Sequence, residues 1–265
     1  MDPAGRVAIV TGGAAGLGLV VVRRLVGEGA LVVVADVDEG ALAAREIGSG
    51  VAGGHDRGGE RAARELGSRV AFVRADVRVA ADLERVVAFS LERFGGLDVL
   101  VNNAGGVSRG AQWPLASVLE WRATLDLNLS GPMLATQLAL EPMRARGAGA
   151  VVNIASSAGL GLAPYDSPEY GAAKAGLIRF TTSVAGLREE IGVRVNCIVP
   201  HWIGLERAHA ELAAMSDADR AAAPPFVDPE AIAEAVVWLV RDESLSGRVV
   251  EMRGGSDRRL LHDGQ

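Results

Sequence analysis

Residues 7–18 read Val7-Ala8-Ile9-Val10-Thr11-Gly12-Gly13-Ala14-Ala15-Gly16-Leu17-Gly18. A short aliphatic, β-branched run passes straight into a glycine-rich turn and then into an apolar segment of helical length, residues 16–28. Gly12 permits a tight turn. Gly16, Leu17 and Gly18 open the helix, where small residues let backbone N–H groups approach a diphosphate. Taken alone the signal is weak, because glycine fills 34 of 265 positions, and a plain glycine-rich turn satisfies the same letters.

Working outward, strand-like runs occur at residues 6–11, 30–35, 69–74, 97–101, 150–154, 193–199 and 248–251. They are continuous Val/Ile/Leu runs rather than alternating ones, as expected for strands covered on both faces. Between them lie segments of helical length at 16–28, 80–94, 118–146, 168–191 and 229–240. This alternation predicts an α/β fold: a doubly wound, seven-stranded parallel sheet with helices on both faces. Ligands of such sheets sit beyond the carboxyl ends of the strands. Two stretches break the rhythm. Residues 48–59 are glycine-rich and read as a surface insertion before a short helix at 60–66. Residues 201–227 interrupt the passage from the sixth strand to the next helix.

Composition narrows the classes. Hydrophobic residues make up 49% and charged residues 23%, enough for a sizeable core. The net charge is −6 and no basic run stands out, which argues against nucleic acid or an anionic membrane as a partner. Cys197 is the sole cysteine and cannot form an internal disulfide. No basic leader with an apolar stretch opens the chain, and no apolar run reaches membrane-spanning length. The reading is a cytoplasmic protein whose residues 1–265 form one domain, with no metal.

Asp36 ends the second strand, 18 residues after Gly18. An acid there accepts hydrogen bonds from ribose hydroxyls and repels a 2′-phosphate, so NAD is expected over NADP. Its plainer role is a helix N-cap. Tyr170 and Lys174 stand four apart, on one face of a helix, and an adjacent ammonium favours a phenolate. Lys174 is the only lysine, and Tyr170 one of two tyrosines, which makes chance a poor account of the pairing. Upstream, the strand at 150–154 exits into Ala155-Ser156-Ser157, where a serine either donates to a substrate oxygen or merely caps the loop.

Together, Thr11-Gly12-x3-Gly16-x-Gly18, Asn102-Asn103-Ala104-Gly105, Asn128, the Ser156 strand exit and Tyr170-x3-Lys174 resemble the short-chain dehydrogenase/reductase family, single-domain branch, over about residues 5–255. The resemblance implies a Rossmann-type sheet, a nicotinamide cofactor and reversible oxidation of an alcohol to a carbonyl. It makes Tyr170 the acid/base at the substrate oxygen. Lys174 becomes the residue that binds the nicotinamide ribose and lowers the tyrosine pKa, and Ser156 the one that orients the substrate. The family's commonest serine–tyrosine gap points instead to Ser157, held in reserve. By the same resemblance Asp76 and Val77 bracket the adenine, Asn103, Ala104 and Gly105 pass the adenosine ribose, and Ile203 meets the carboxamide. A homotetramer or homodimer is implied too, through helix pairs at 118–146 and 168–191, while the tail at 253–261 is free to reach a neighbouring subunit.

Asn128 carries a physical inference of its own. Pro132 has no N–H, so the Asn128 carbonyl loses its helical donor and the helix should kink there, either to free that carbonyl for a water or only for packing. In the family this asparagine holds a water that relays protons from the lysine. His201 and Leu205 depart from the family pattern, which has glycine and a hydroxyl residue there. His201 is either a substrate contact or, as preferred, a strained loop residue. Residues 202–226, with Trp202, Leu205, Leu212, Met215 and Phe226, either cover an apolar alcohol or ketone or simply pack a surface helix. The rival to a dehydrogenase is a nucleotide-binding regulatory or structural protein of the same fold. An enoyl reductase or sugar epimerase fits less well.

Overall fold

The computed structural model describes residues 1–38, 67–108, 110–161 and 165–261. Seven strands run parallel: β1 (Val7–Thr11), β2 (Leu31–Asp36), β3 (Val70–Arg74), β4 (Val99–Asn102), β5 (Gly149–Ile154), β6 (Val193–Pro200) and β7 (Val249–Gly254). An eighth, β8 (Asp257–Leu261), pairs antiparallel with β7. The order is β3-β2-β1-β4-β5-β6-β7-β8. Strand order reverses between β1 and β4, which opens a crevice at their carboxyl ends.

The continuous apolar strands are explained by two cores. Ala8, Val10, Val32, Val34, Val99 and Val101 face one layer, packed by Val21 and Leu25 of α1 (Gly16–Gly27). Ile9, Val33, Leu100 and Val151 face the other, packed by Leu83 and Val86 of α2 (Ala80–Phe94). Alternate residues therefore serve opposite layers, and both are buried.

Three expectations change. The sheet has eight strands rather than seven. The eighth comes from the tail, which turns back at Gly255 (φ +52°) and buries Leu260 and Leu261 partly against the cores. The segment at 118–146 is not one helix. It divides into α3 (Val118–Leu125), a π turn over Asp126–Ser130, and α4 (Gly131–Ala145), with Pro132 in the first turn of α4. The break at Pro132 thus takes the form of a widened turn. Residues 168–191 likewise split into α5 (Pro168–Ser183) and α6 (Leu187–Ile191). Beyond β6 come α7 (Glu206–Ala214), α8 (Asp217–Ala222) and α9 (Pro229–Arg241). The insertion at 48–59 and the helix at 60–66 lie outside the described residues.

Candidate active site

The turn after β1 is built around close backbone approaches. Gly12 has φ +63°, and a Cβ there would stand 2.9 Å from Ala104 Cα. At Gly18 a Cβ would collide with the Gly12 carbonyl oxygen, so only glycine fits. Ala15 precedes α1 without a side-chain cap, and no acid occupies the first turn. The first N–H groups of the helix are left for an anion. Sequence reading gave no role to Thr11, whose buried hydroxyl accepts the N–H groups of Asn103 and Ala104, both at 3.1 Å. The Asn103 amide returns bonds to the Thr11 and Gly12 carbonyls at 2.9 and 3.0 Å. Asn103 braces the glycine turn. A threonine just before the first glycine was the available signal.

A cavity of about 470 Å³ opens at this crevice. Gly12, Leu17 and Gly18 line it beside Asp36, Asp76 and Val77; Asn103, Ala104 and Gly105 follow, and then Tyr170, Lys174 and Ile203. Gly16, Asn128 and Ser156 are not among the lining residues. Asp36 is fixed by the Ala14 and Val37 N–H groups at 3.0 and 2.8 Å. Asp76 is gripped by Arg78 at 2.6 Å, and that bond holds its carboxyl below the ordinary value.

At the other end α5 carries Tyr170 and Lys174. Lys174 is buried and its ammonium donates to the Ile154 carbonyl at 2.9 Å, standing 5.7 Å from the centre of the Tyr170 ring. Burial pulls its pKa down to about 8. Ser156 caps a 3-10 turn over Ser157–Gly159, accepting the Ala158 N–H at 3.2 Å. Ser156 also acts on the Tyr170 phenol, favouring its charged form, whereas Ser157 is not among the groups acting on it. The expected lowering of the Tyr170 pKa by Lys174 is not seen. Burial raises the phenol above its ordinary value and outweighs Ser156, which acts the other way.

Asn128 sits inside the π turn, fully buried. Its side-chain oxygen accepts the Gly106 N–H at 2.9 Å, and its amide donates to the Gly106 and Thr124 carbonyls at 3.0 and 2.9 Å. Asn128 and Lys174 converge on Gly105, where a Cβ would lie 2.7 Å from the asparagine oxygen and 3.1 Å from the lysine nitrogen. The widened turn therefore brings an α3–α4 residue to the lysine of α5.

After β6, His201 is neither in the cavity lining nor loose. Its Nε2 bonds Glu251 Oε1 at 2.9 Å, and its N–H reaches the Met252 carbonyl at 2.9 Å. Leu205 does line the cavity. The segment that follows is pinned at its neck by an Ile203–Val227 bridge and by the edge-on rings of Trp202 and Phe226, 4.6 Å apart. Of the apolar residues expected to cover a substrate, Leu205 reaches the cavity, while Trp202 and Phe226 pack on each other. Among the described residues no group of His, Cys, Asp and Glu could hold a metal, and no helix is long and apolar enough to cross a membrane.

Residues 6–214 match the short chain dehydrogenase family model. Cis-4-hydroxycyclohexanecarboxylate dehydrogenase of Sinomonas cyclohexanicum is 37% identical over 94% of this chain and 96% of its own. A 2,5-dichloro-2,5-cyclohexadiene-1,4-diol dehydrogenase of Sphingobium indicum is 32% identical over 96% of this chain and 98% of its own. A crystal structure described as a short-chain dehydrogenase/reductase, from Burkholderia xenovorans, superposes with TM-score 0.80 at 31% identity, covering 96% of this chain and 97% of that one. With the glycine turn, Tyr170 and Lys174 gathered at one crevice, this chain belongs to the short-chain dehydrogenases, oxidoreductases acting on alcohols and ketones.

Proposed function

We propose that the chain is an NAD-dependent dehydrogenase interconverting a secondary ring alcohol and its ketone, with Ser156, Tyr170, Lys174 and Asn128 as its working residues. The observation that carries this reading is a single cavity joining two ends. One is a glycine cradle under an uncapped helix start; the other is the Tyr170 phenol beside a buried ammonium. A bound dinucleotide supplies the hydride acceptor or donor.

In oxidation, the Ser156 hydroxyl holds the substrate oxygen and Tyr170 Oη accepts the hydroxyl proton as the carbinol hydride departs. In reduction, Tyr170 returns that proton to the oxygen. Alcohol and oxidised cofactor give ketone, reduced cofactor and one proton, which passes to solvent. In this reading Lys174 holds ribose hydroxyls, and the Asn128 carbonyl, which cannot receive an N–H from Pro132, holds a relay water. Fixed by two N–H groups, the Asp36 carboxylate favours NAD, since a 2′-phosphate would face an anion. Arg74, its neighbour in the sheet register, is not among the residues lining the cavity. A ring alcohol is supported by the substrates named for the two relatives above. We read residues 1–265 as one domain and 201–227 as its substrate cover.

Tyr170→Phe tests the assignment. Turnover of cyclohexanol with NAD should fall on the order of 10²–10⁴-fold, while NADH binding, followed by its fluorescence, persists. Unchanged turnover would overturn the role of Tyr170.

A further inference from the structure

We propose that Arg74 forms an anion site at the adenosine end of the crevice, so that the enzyme accepts a dinucleotide carrying a 2′-phosphate as well as NAD. The inference rests on the dinucleotide reading above and extends it. β2 and β3 pair in register, Val34 with Phe72 and Asp36 with Arg74. Val34 and Phe72 both pack on the α1 side of the sheet, and side chains two residues apart on a strand share a face. Arg74 therefore leaves the sheet on the same face as Asp36, the carboxylate assigned to the adenosine ribose, one strand further out.

A second cavity, of about 670 Å³, adjoins the first at this point. Val37, Ala75 and Asp76 line both, whereas Arg74, Arg78, Asp82 and Arg85 line only the second. Its two carboxylates are already matched. Arg78 grips Asp76 at 2.6 Å, and Arg85 pairs with Asp82 at 2.9 Å. Arg85 also donates to the Arg74 carbonyl at 2.7 Å, which fixes the Arg74 backbone. The Arg74 guanidinium itself has no hydrogen-bond or ion-pair partner among the described residues. One positive charge of this cavity is thus left for a ligand.

A phosphate suits that position, because a guanidinium offers it two parallel charge-assisted bonds. The nearest obstacle is Asp36, whose two oxygens are turned onto the Ala14 and Val37 N–H groups. A 2′-phosphate directed outward, past Val37 and into the second cavity, leaves Asp36 behind and meets Arg74. NAD remains the better cofactor, since the Asp36 carboxylate still faces the ribose. Arg74 reduces the discrimination without reversing it.

The test measures binding to the full chain: NADH and NADPH by fluorescence, 5′-AMP and 2′,5′-ADP by calorimetry. Arg74 is exposed, so its variants should fold. Arg74→Gln should weaken NADPH and 2′,5′-ADP about tenfold or more, the value of a charge-assisted bond, and leave NADH and 5′-AMP unchanged. Arg74→Lys should keep part of the affinity, and added salt should weaken NADPH more than NADH. With cyclohexanone as substrate, kcat/KM for NADPH should fall in Arg74→Gln by the same factor, carried by KM. Wild-type enzyme that fails to bind NADPH, or an Arg74→Gln variant that changes both members of each pair alike, overturns the proposal. Inorganic phosphate that binds beside 5′-AMP and is lost with Arg74 would make this a site for free phosphate and overturn it too. In each of those outcomes NADH still binds; if NADH and 5′-AMP do not bind, the dinucleotide reading itself fails.

Discussion

Lys174 is 3% exposed, and burial takes its ammonium from 10.5 down to about 8. Between those values the unfolded chain holds a proton that the folded chain has released, so stability rises with pH across that window. Below pH 8 the folded protein carries the whole cost of a buried charge, ~3 kcal/mol. Lys174→Met should therefore stabilise the fold at pH 7 by ~2 kcal/mol, after about 1 kcal/mol is lost with the bond to Ile154. Urea unfolding at pH 7 and pH 10 measures this; a less stable variant at pH 7 would refute the burial cost. Turnover should vanish in the same variant. Spacing alone made Tyr170 and Lys174 legible as a pair. It could not reveal that burial, rather than the neighbouring charge, dominates the phenol, because burial is contributed by residues distant in sequence.

At the scale of elements, the π turn decides where Asn128 goes. Pro132 announced a break, since a missing N–H cannot continue the ladder. The clamp that fixes the break was not legible. The Asn102 amide donates to the Pro132 carbonyl at 3.2 Å, to Thr136 Oγ1 at 3.1 Å and to Asn153 Oδ1 at 2.8 Å, partners 30, 34 and 51 residues away. It ties the start of α4 to β4 and β5. Asn102→Leu strands these buried acceptors and should cost ~2–4 kcal/mol in urea unfolding. It should also reduce kcat by loosening Asn128. A variant within ~0.5 kcal/mol of wild type would show the clamp to be idle. The β7–β8 hairpin was missed for a related reason: an arginine-rich tail with two terminal leucines has no strand period, and only the exposed edge of β7 gives it a partner.

Across the whole molecule, one buried carboxylate joins distant parts of the sheet. Asp98, with a fully buried side chain, accepts from Arg146 at 3.1 and 3.0 Å, from Arg6 at 3.1 Å and from the Val7 N–H at 2.8 Å. Burial raises its pKa, but the Arg146, Val7 and Arg6 bonds together outweigh it and hold the carboxyl below its ordinary value. The folded value is depressed, so the stabilisation is complete above the unfolded carboxylate value, ~3.9. It disappears as pH falls through the folded one. Asp98→Asn should cost ~3 kcal/mol at pH 7, and the wild-type and variant unfolding curves should converge in acid. A constant gap down to pH 2 would place the role elsewhere.

The sequence by itself determined the strand–helix alternation, the covering of the strands on both faces and the glycines of the first turn. These follow from local rules: side-chain period, β-branching, and the room that a missing Cβ leaves. Only the tertiary structure decided that Asn103 and Thr11 brace that turn and that His201 belongs to Glu251. Each of those is a contact between residues far apart along the chain, made by the order in which the strands pair, and that order is set by the burial of both faces of the sheet at once.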